Sequence, residues 1–524
     1  MTDPAQLMFV ANRLGNGFRA AEYAAALKLG VNGWLDEQLA APAEDTPEVT
    51  RRLDGCRLRI RYPAVDGKWD AMDEMRPLSL LNKPIDQLWA MFDPMKPVNG
   101  QERGRARLEV TAASLIRNVY SPYQLREMMA QFWHDHFHVN AYADDHIALA
   151  LPAYDRDVIA KHCLGNFRTL LEAVATSTAM LFYLSNQSSR AGAANENYGR
   201  ELFELHTLGR EHYLNDRYDR WRDVPGAQEG RPEGYIDQDV YEAARAFTGW
   251  TVENGQPLDN ARRLSATGRF AYVESWHDGY QKRVLATEFD PFGPPMADGR
   301  KVLDLLAAHP ATARHMANKL CVRLVGPTPP PSLTERVAQS WRQNVHAPDQ
   351  IAQAVRQIAT SPEFLQSRGA KVARPLTLVA RYARVMGYDF TPTEGLINQM
   401  AGAGQRLFGW PTPTGLPDDN AYFLGSNAIR NRWGLGVGLA QNWWGTGQPD
   451  AAVALSAWGL PPRGGMQAVK DCYRLFGIGP DDALTEATLT ASGLLPYAPL
   501  SSADGPHLAL ASGLALLHPD VQTT

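Results

Sequence analysis

The spacing of apolar residues along this 524-residue chain predicts a protein built mainly from amphipathic helices. Residues 19–40 give two helical segments interrupted between Gly30 and Gly33, and residues 105–119 and 121–138 continue the pattern. Further helices are predicted at 153–163, 166–184, 197–208, 237–249, 301–308, 310–324, 333–344, 348–360, 375–387, 395–408 and 427–440. Strand-like alternation is scarce. RFAYVE near 269–274 and KRVLATEF near 282–289 flank HDG and predict one small hairpin.

Two long connections interrupt this helical pattern. Residues 210–236 and 411–426 are rich in Gly, Pro, Asp and aromatic side chains. Loops of that length are uncommon in compact proteins and often carry function. We therefore expect functional residues on or beside them.

Composition places the chain among globular proteins and excludes several classes of function. It is 44% hydrophobic and 21% charged, and its net charge of −5 gives no broad basic surface for nucleic acid or anionic lipid. No run of about 18 apolar residues is present, so no membrane span is expected. The four cysteines lie far apart and predict buried thiols. MTDPAQLMFVANRLGNG shows no export signal, which leaves a cytoplasmic location, or export after removal of a signal, open.

Three histidines alternate in FWHDHFHVN, residues 132–140, at the end of a helix that Ser121 is predicted to cap. Steps of 100° per residue place His136 on the apolar face, where a core imidazole is the simplest interpretation. His134 and His138 lie together on the opposite face. This i, i+4 pair suits one metal ion, one substrate or a solvated polar face. Two histidines do not complete a zinc or iron site, so further ligands have to come from elsewhere.

A second polar segment is NENYGRELFELHTLG, residues 195–209. As a helix it places Asn197, Glu201 and Glu204 on one face, with Arg200 at the edge and His206 pointing elsewhere. Paired carboxylates bind a metal or divide acid and base roles, but charged pairs at this spacing also simply stabilise a helix. Both interpretations stay open. The candidate ligands for a divalent metal ion are His134, His136, His138 and Glu201.

Two more segments carry polar residues that suit a site. Asp237 is the predicted N-cap of a helix that has Arg245 on its polar side. WHDG, residues 276–279, places His277 and Asp278 in a turn between the two predicted strands. A His-Asp pair suits acid–base chemistry, although Asp-Gly is also the usual composition of a hairpin turn.

In this order, FWHDHF, NENYGRELFELHTLG, DVYEAARAFTGW, HDGYQK, HPATARHMANKL and RPLTLVARYARVMG resemble the bacterial family known as domain-of-unknown-function family 1800. FVANRLGNGFRAAEYAAALKLGVNGWLDEQL and LFGWPTPTGLPD resemble its N-terminal helix pair and its C-terminal block, so the resemblance spans about residues 8–435. It implies an α-rich architecture and no established activity. Family members commonly carry export signals and are often encoded beside a sulfatase-like partner protein, which implies an envelope or secreted role.

We therefore expect a mainly α fold, one large multi-helix globular domain over residues 1–524 with a small β-hairpin and long functional loops. Its parts are an N-terminal helical part (1–120), a core with the polar blocks (121–290), a C-terminal helical part (291–440) and a C-terminal extension (441–524). The family's polar blocks fall on His134, His136, Asn195, Asn197, Arg200, Glu201, Glu204, Asp237, His277 and Asp278.

Two classes of function fit these residues. The first is an enzyme of hydrolytic or metal-assisted type acting on a small molecule, a glycan or another envelope substrate, with catalytic roles for Glu201, Glu204, His134, His277 and Asp278. The substrate-binding residues would be Asn195, Asn197, Arg200, Asp237, Arg245, Trp133 and Trp276. The alternative is a non-catalytic carbohydrate- or protein-binding envelope component that uses Trp and Tyr loops. No C-x-x-C-H and no G-x-G-x-x-G after a strand is present, so neither haem nor a nucleotide cofactor is expected.

Overall fold

Five helices and a two-stranded sheet form the N-terminal part of the chain in the computed structural model, which describes residues 3–524. The helices are Pro4–Arg13 (α1), Ala20–Leu39 (α2), Pro47–Gly55 (α3), Ile85–Trp89 (α4) and Gly100–Tyr120 (α5). The strands Arg57–Tyr62 (β1) and Met72–Pro77 (β2) pair antiparallel. Gly30 has a φ of 74° inside α2 and breaks its helical path, as the sequence predicts. The sequence interpretation misses the sheet, although Leu58, Ile60 and Tyr62 alternate inward along β1.

The middle of the chain carries the two polar segments on short helices. These helices are Gln124–His136 (α6), Asp145–Ala153 (α7), Phe167–Ala175 (α8), Thr178–Tyr183 (α9), Glu196–Glu201 (α10) and Asp237–Ala246 (α11). π-helical turns at Tyr154–Ala160 and Leu202–His206 continue α7 and α10. The strands are Trp250–Asn254 (β3), Ala266–Tyr272 (β4), Lys282–Val284 (β5) and Thr287–Phe289 (β6). The predicted loop at 210–236 is confirmed, because only short 3₁₀ turns interrupt it.

The predicted pairing of the hairpin around HDG is wrong. RFAYVE belongs mostly to β4, which pairs with β3, with Trp250 opposite Tyr272. KRVLATEF folds back on itself as β5 and β6. The cause is its own turn at Leu285 and Ala286, whose φ values of 49° and 57° are those of a tight two-residue hairpin turn. The small hairpin is therefore present, but β5 and β6 form it within KRVLATEF.

The C-terminal part is helical throughout. Its helices are Ala297–Ala308 (α12), Pro310–Leu324 (α13), Pro331–Gln343 (α14), Gln350–Ala359 (α15), Pro362–Leu365 (α16), Pro375–Met386 (α17), Glu394–Gly402 (α18), Asn420–Phe423 (α19), Ser426–Ala440 (α20), Ala451–Ala457 (α21), Gly465–Leu475 (α22), Asp482–Ser492 (α23), Gly505–Leu516 (α24) and Pro519–Gln522 (α25). The mainly α fold class is therefore confirmed. Among residues 3–524, none of the helices is long and apolar enough to cross a membrane.

One large hydrophobic cluster connects all four parts of the chain. It begins at Leu7 near the N-terminus, passes through α5, α6 and α13, and ends at Val521. Because α6 and α13 both contribute to it, the polar groups on their buried faces lie inside the protein and need internal partners or a bound ligand. The division into four parts stays a prediction from the sequence.

Candidate functional site

The histidine segment FWHDHFHVN is buried at the end of α6. The helix begins at Gln124, and Ser121 forms a turn before it instead of capping it. It ends at His136, so His138 lies outside the helix and the predicted i, i+4 pair of His134 and His138 on a polar face is wrong. His134, His136 and His138 are 4%, 1% and 4% exposed, respectively.

His134 belongs to a buried ion-pair network. Its Nε2 lies 2.9 Å from Asp155 Oδ1, and Asp155 Oδ2 accepts a hydrogen bond from Arg117 at 3.0 Å. Burial opposes the ionisation of Asp155, but hydrogen bonds and charge from His134 and Arg117 outweigh it and hold the pKa of that carboxyl below its usual range. His134 is therefore not part of a solvated polar face, because its ring is held in the core by a buried carboxylate.

His138 and the end of α6 are covered by LFGWPTPTGLPD, residues 407–418. The Nε2–H of His138 donates to the carbonyl oxygen of Trp410 at 2.9 Å. Gly415, with a φ of 70°, lies so close to the carbonyl oxygen of Asp135 that a Cβ there would stand 1.8 Å from it. Only glycine fits this approach. The predicted loop at 411–426 thus closes over the histidine segment.

His136 contacts the second polar segment. Its Nε2–H donates to the carbonyl oxygen of His206 at 3.2 Å, at the end of the π-helical turn that continues α10. The two polar segments therefore contact each other at this hydrogen bond. Because a carbonyl only accepts, neutral His136 keeps its lone pair on Nδ1. That atom is buried and has no hydrogen-bond partner among the described residues.

His206 and His315 each have a buried ring nitrogen without a hydrogen-bond partner as well. Their Nε2 atoms are buried without a partner in residues 3–524, and both ring centroids lie 6.3 Å from that of His136. His315 Nδ1–H donates to Glu211 at 3.2 Å, so the lone pair of a neutral His315 is on Nε2. Lys319 follows one turn later on α13. We name the histidine–lysine cluster after its members, His136, His206, Glu211, His315 and Lys319.

The electrostatics of the histidine–lysine cluster keep its two inner histidines, His136 and His206, neutral. Burial, with a smaller contribution from the charge of Lys319, lowers the pKa of His206 to about 3 and that of His136 well below its usual range. Burial also lowers the pKa of Lys319, although Asp418 and other carboxylates oppose this. The cluster therefore combines neutral imidazoles that have free lone pairs with one cation.

The residues of α10 predicted to bind substrate serve mostly as structural contacts. Asn195 caps α10 by accepting from the N–H of Tyr198 at 3.2 Å, while Asn197 is exposed. Arg200 donates to Asp237 at 3.0 Å. Ile236, one residue earlier, occupies the N-cap position of α11, so the prediction that Asp237 caps this helix is wrong.

Glu201 and Glu204 are half-buried on α10 and the turn after it. Burial, and then the charge of Glu204, raises the pKa of Glu201. Within the described part of the chain, no hydrogen bond or ion pair joins these carboxylates to the histidines of FWHDHFHVN or to His277. Nor is any group of three His, Cys, Asp or Glu side chains in residues 3–524 arranged to hold a metal ion. The three predicted histidine ligands each have a different partner.

The polar residues around WHDG form a saturated cluster. Arg245 donates to both carboxylate oxygens of Asp278, at 2.7 and 2.9 Å. The Nδ1–H of His277 donates to a carbonyl oxygen at 2.9 Å, and its Nε2 lies 3.3 Å from Asp298 Oδ2. These residues therefore fix the loop between β4 and β5. We name the WHDG cluster after its members, Arg245, Thr248, His277, Asp278, Lys282 and Asp298.

The two tryptophans predicted to bind substrate are both buried. Trp133 Nε1–H donates to the carbonyl oxygen of Cys163 at 2.8 Å. Trp276 lies under the guanidinium of Arg190, which stands 3.6 Å from its ring centroid. Neither ring presents an open face to a substrate.

Sequence reasoning misses His206, His315 and Lys319. His315 and Lys319 have i, i+4 spacing within HPATARHMANKL, which places both on one face of α13, and this was the signal available. His206 is turned toward His136 by the π-helical turn, which adds residues to the turn and changes the direction of every side chain after it.

The fold and the histidine–lysine cluster define a mainly α-helical protein with a buried polar site whose atoms are only partly paired. The chain belongs to the family described as Protein of unknown function (DUF1800), whose model matches residues 9–504. The family prediction made from the sequence blocks is thereby confirmed. Neither curated proteins nor solved structures gave a match to the chain.

Proposed function

We propose that this protein is a hydrolytic enzyme whose catalytic site is the histidine–lysine cluster. The observation that carries the proposal is the group of three buried imidazole nitrogens without hydrogen-bond partners beside one lysine. Buried polar atoms are almost always paired, and a group of unpaired ones calls for a ligand or water. Free lone pairs next to a cation suit a reaction that removes a proton and develops negative charge.

In this proposal His315 is the general base. Its Nε2 lone pair removes a proton from an attacking water, and Glu211 orients the ring and stabilises the imidazolium that forms. The proton then passes to the leaving group. The His315 side chain is 15% exposed, which makes it the cluster histidine nearest to solvent. Its Nε2 atom is itself buried, so a substrate reaches this atom only when the neighbouring side chains move apart. Lys319 stabilises the negative charge that develops on the attacked group, and the inner histidines accept hydrogen bonds from the substrate.

The test is a panel of chromogenic esters, phosphates, sulfates and glycosides assayed with wild type, His315→Gln and Lys319→Met. At least one substrate should be turned over, and His315→Gln should lower kcat by about 100-fold or more with an unchanged Tm. His346→Gln is the matched control, because His346 is exposed and lies outside the cluster. Turnover that survives in both His315→Gln and Lys319→Met would contradict the proposal.

Two other functions have support of their own. A metal-assisted form of the reaction is supported by His136 and His315, which commit one N–H to oxygen and leave the other nitrogen free, as metal-binding histidines do. A non-catalytic binding component is supported by exposed Trp433 and Trp443 on and after α20. Absence of turnover across the whole panel would favour the binding component. A glycan or envelope substrate and a sulfatase-like partner stay predictions from the sequence.

A further inference from the structure

A second polar site surrounds a cavity of about 60 Å³ beyond the C-terminal half of α13. Four cationic side chains line it, and no aspartate or glutamate does. None of the residues of the histidine–lysine cluster lines this cavity, so the site is separate from the one proposed for catalysis. The lining cations are Arg13, Arg323, Lys371 and Arg374.

The cations exceed the carboxylates that could balance them. Arg323, Lys371 and Arg374 all donate to the same oxygen, Asp418 Oδ1, at 3.1, 3.2 and 2.9 Å. Arg374 also bonds to Asp135. Arg323, Lys371 and Arg374 therefore share two aspartates, whereas Arg13 donates to carbonyl oxygens and to Ser367. Even if a carboxylate at the last residue of the chain is counted, positive charge is in excess.

The lining also offers more hydrogen-bond donors than acceptors. Arginine and lysine carry donors only. Carbonyl oxygens and Ser367 occupy most donors of Arg13, and Lys371 donates to the carbonyl oxygen of Val322 as well as to Asp418, but Arg323 donates only from Nη1 among the described residues. Arg13 Nε is buried without a partner among the described residues. Gln405 uses its Oε1 to accept from the N–H of Leu376 at 2.8 Å, so its remaining polar group is the Nε2 donor. Burial lowers the pKa of Lys371 to about 8, which is the cost of a cation with too little negative charge nearby.

We propose that this cavity binds a small tetrahedral oxyanion, phosphate or sulfate, either free or as the anionic group of a larger ligand. Such an anion supplies the acceptors and the negative charge that the lining lacks, through charge-assisted hydrogen bonds. The volume is that of roughly four to six water molecules, which fits the five heavy atoms of a tetrahedral oxyanion. Bound in this way, the oxyanion connects α1, α13 and α17.

The experiment is isothermal titration calorimetry of the full chain with inorganic phosphate, inorganic sulfate and phenyl phosphate, in chloride buffers of constant ionic strength. At least one probe should bind saturably at one site per chain. Lys371→Gln should raise Kd about tenfold or more, because one charge-assisted hydrogen bond to the anion is lost. Lys470→Gln is the matched control and should bind as wild type does, because Lys470 on α22 is partly exposed, pairs with Asp482 and does not line the cavity.

Gln131→Leu is the second variant, since Gln131 lines the cavity and makes no ion pair that the fold needs. It removes an amide and fills space, and should also weaken binding by about tenfold. If Lys371→Gln does not fold, this variant decides. If phenyl phosphate binds and both variants weaken its binding, the bound anion is the anionic group of a larger ligand. Absence of saturable binding by wild type, or equal binding by wild type and Gln131→Leu, would overturn the proposal.

Discussion

The WHDG cluster and the histidine–lysine cluster contain the same kinds of side chain, yet differ in how many of their polar atoms have partners. In the WHDG cluster, Arg245 holds Asp278 with two hydrogen bonds, and Lys282 and His277 both contact Asp298. In the histidine–lysine cluster, three ring nitrogens have no partner in the described chain. Both regions hold imidazoles, carboxylates and a lysine, so residue type alone does not separate them.

This difference in hydrogen-bond pairing separates a structural cluster from a candidate functional one. A saturated cluster stabilises the fold and fixes a loop, because each buried charge is balanced by a neighbour. An unsaturated cluster costs stability unless something else binds to it. The sequence prediction gives catalytic roles to His277 and Asp278 of the WHDG cluster, and in the histidine–lysine cluster it gives only His136 a role, as a metal ligand. Hydrogen-bond pairing instead favours the histidine–lysine cluster as the functional one.

The largest expected effect is the loss of stability on breaking the saturated cluster. Lys282 is fully buried, and its ammonium donates to Asp298 at 2.7 Å and to the carbonyl oxygen of Tyr280 at 2.8 Å. Lys282→Met should lower the free energy of unfolding by about 3–5 kcal/mol, because it leaves a buried carboxylate without its cation. Denaturant unfolding measures this. Lys301→Met is the control, at a partly exposed lysine whose ammonium donates to one carbonyl oxygen. An equal loss in both variants would show that the ion pair of Lys282 with Asp298 does not stabilise the fold.

The next effect is an acid sensitivity specific to the unsaturated cluster. The pKa of His206 is about 3 in the folded protein and near 6.5 when unfolded, so the unfolded chain binds the proton more tightly. The contribution of neutral His206 to the free energy of unfolding is therefore complete above pH 6.5 and is lost as the pH falls toward 3. At pH 5 it should be smaller by about 2 kcal/mol.

His206→Gln should therefore lose about 2 kcal/mol less stability than wild type between pH 7 and pH 5. Urea unfolding at the two pH values measures the difference. His346→Gln should keep the wild-type dependence, because His346 is exposed. An identical pH dependence in His206→Gln and wild type would show that His206 is not buried as a neutral ring.

The helices were largely predictable, because an apolar period of 3.6 residues is a local property of the sequence. Residues 310–324 are predicted and observed as one helix, α13. The hairpin pairing was not predictable in the same way. It depends on the φ angles of Leu285 and Ala286, and on which distant strand is free to pair with β4.

The candidate site was predictable only in part. Periodicity places His136 on the apolar side of α6, and the structure confirms that this residue is buried. It fails for His134, because the opposite face of α6 is also covered, by Asp155 and by the loop at 407–418. It fails again for His315 and Lys319, since a helical pattern does not say which polar residues face another element. Those choices depend on contacts between residues far apart in the chain.

A smaller effect on stability is expected when the carboxylate of the histidine–lysine cluster is removed. Glu211 is 58% exposed and bonds to His315, so Glu211→Gln should change the free energy of unfolding by less than about 1 kcal/mol. If His315 is the general base, the same substitution should lower kcat, because the carboxylate that orients the ring is lost. Thermal melting and the substrate panel measure the two quantities. A clear drop in Tm would mean that Glu211 is a structural partner like those of the WHDG cluster.

The smallest expected effect is that of metal removal. A dication in the histidine–lysine cluster would stand beside the charge of Lys319, which already lowers the pKa of both inner histidines. We therefore expect protein purified without chelator to hold less than stoichiometric Zn, Fe, Mn or Cu, and its Tm to stay unchanged in EDTA. Near-stoichiometric metal that is lost in His315→Gln would instead establish the metal-assisted form, with the same lone pairs as ligands. If His315→Gln keeps the metal and His277→Gln loses it, the metal site lies in the WHDG cluster. Complete hydrogen bonding would then not distinguish a structural cluster from a functional one.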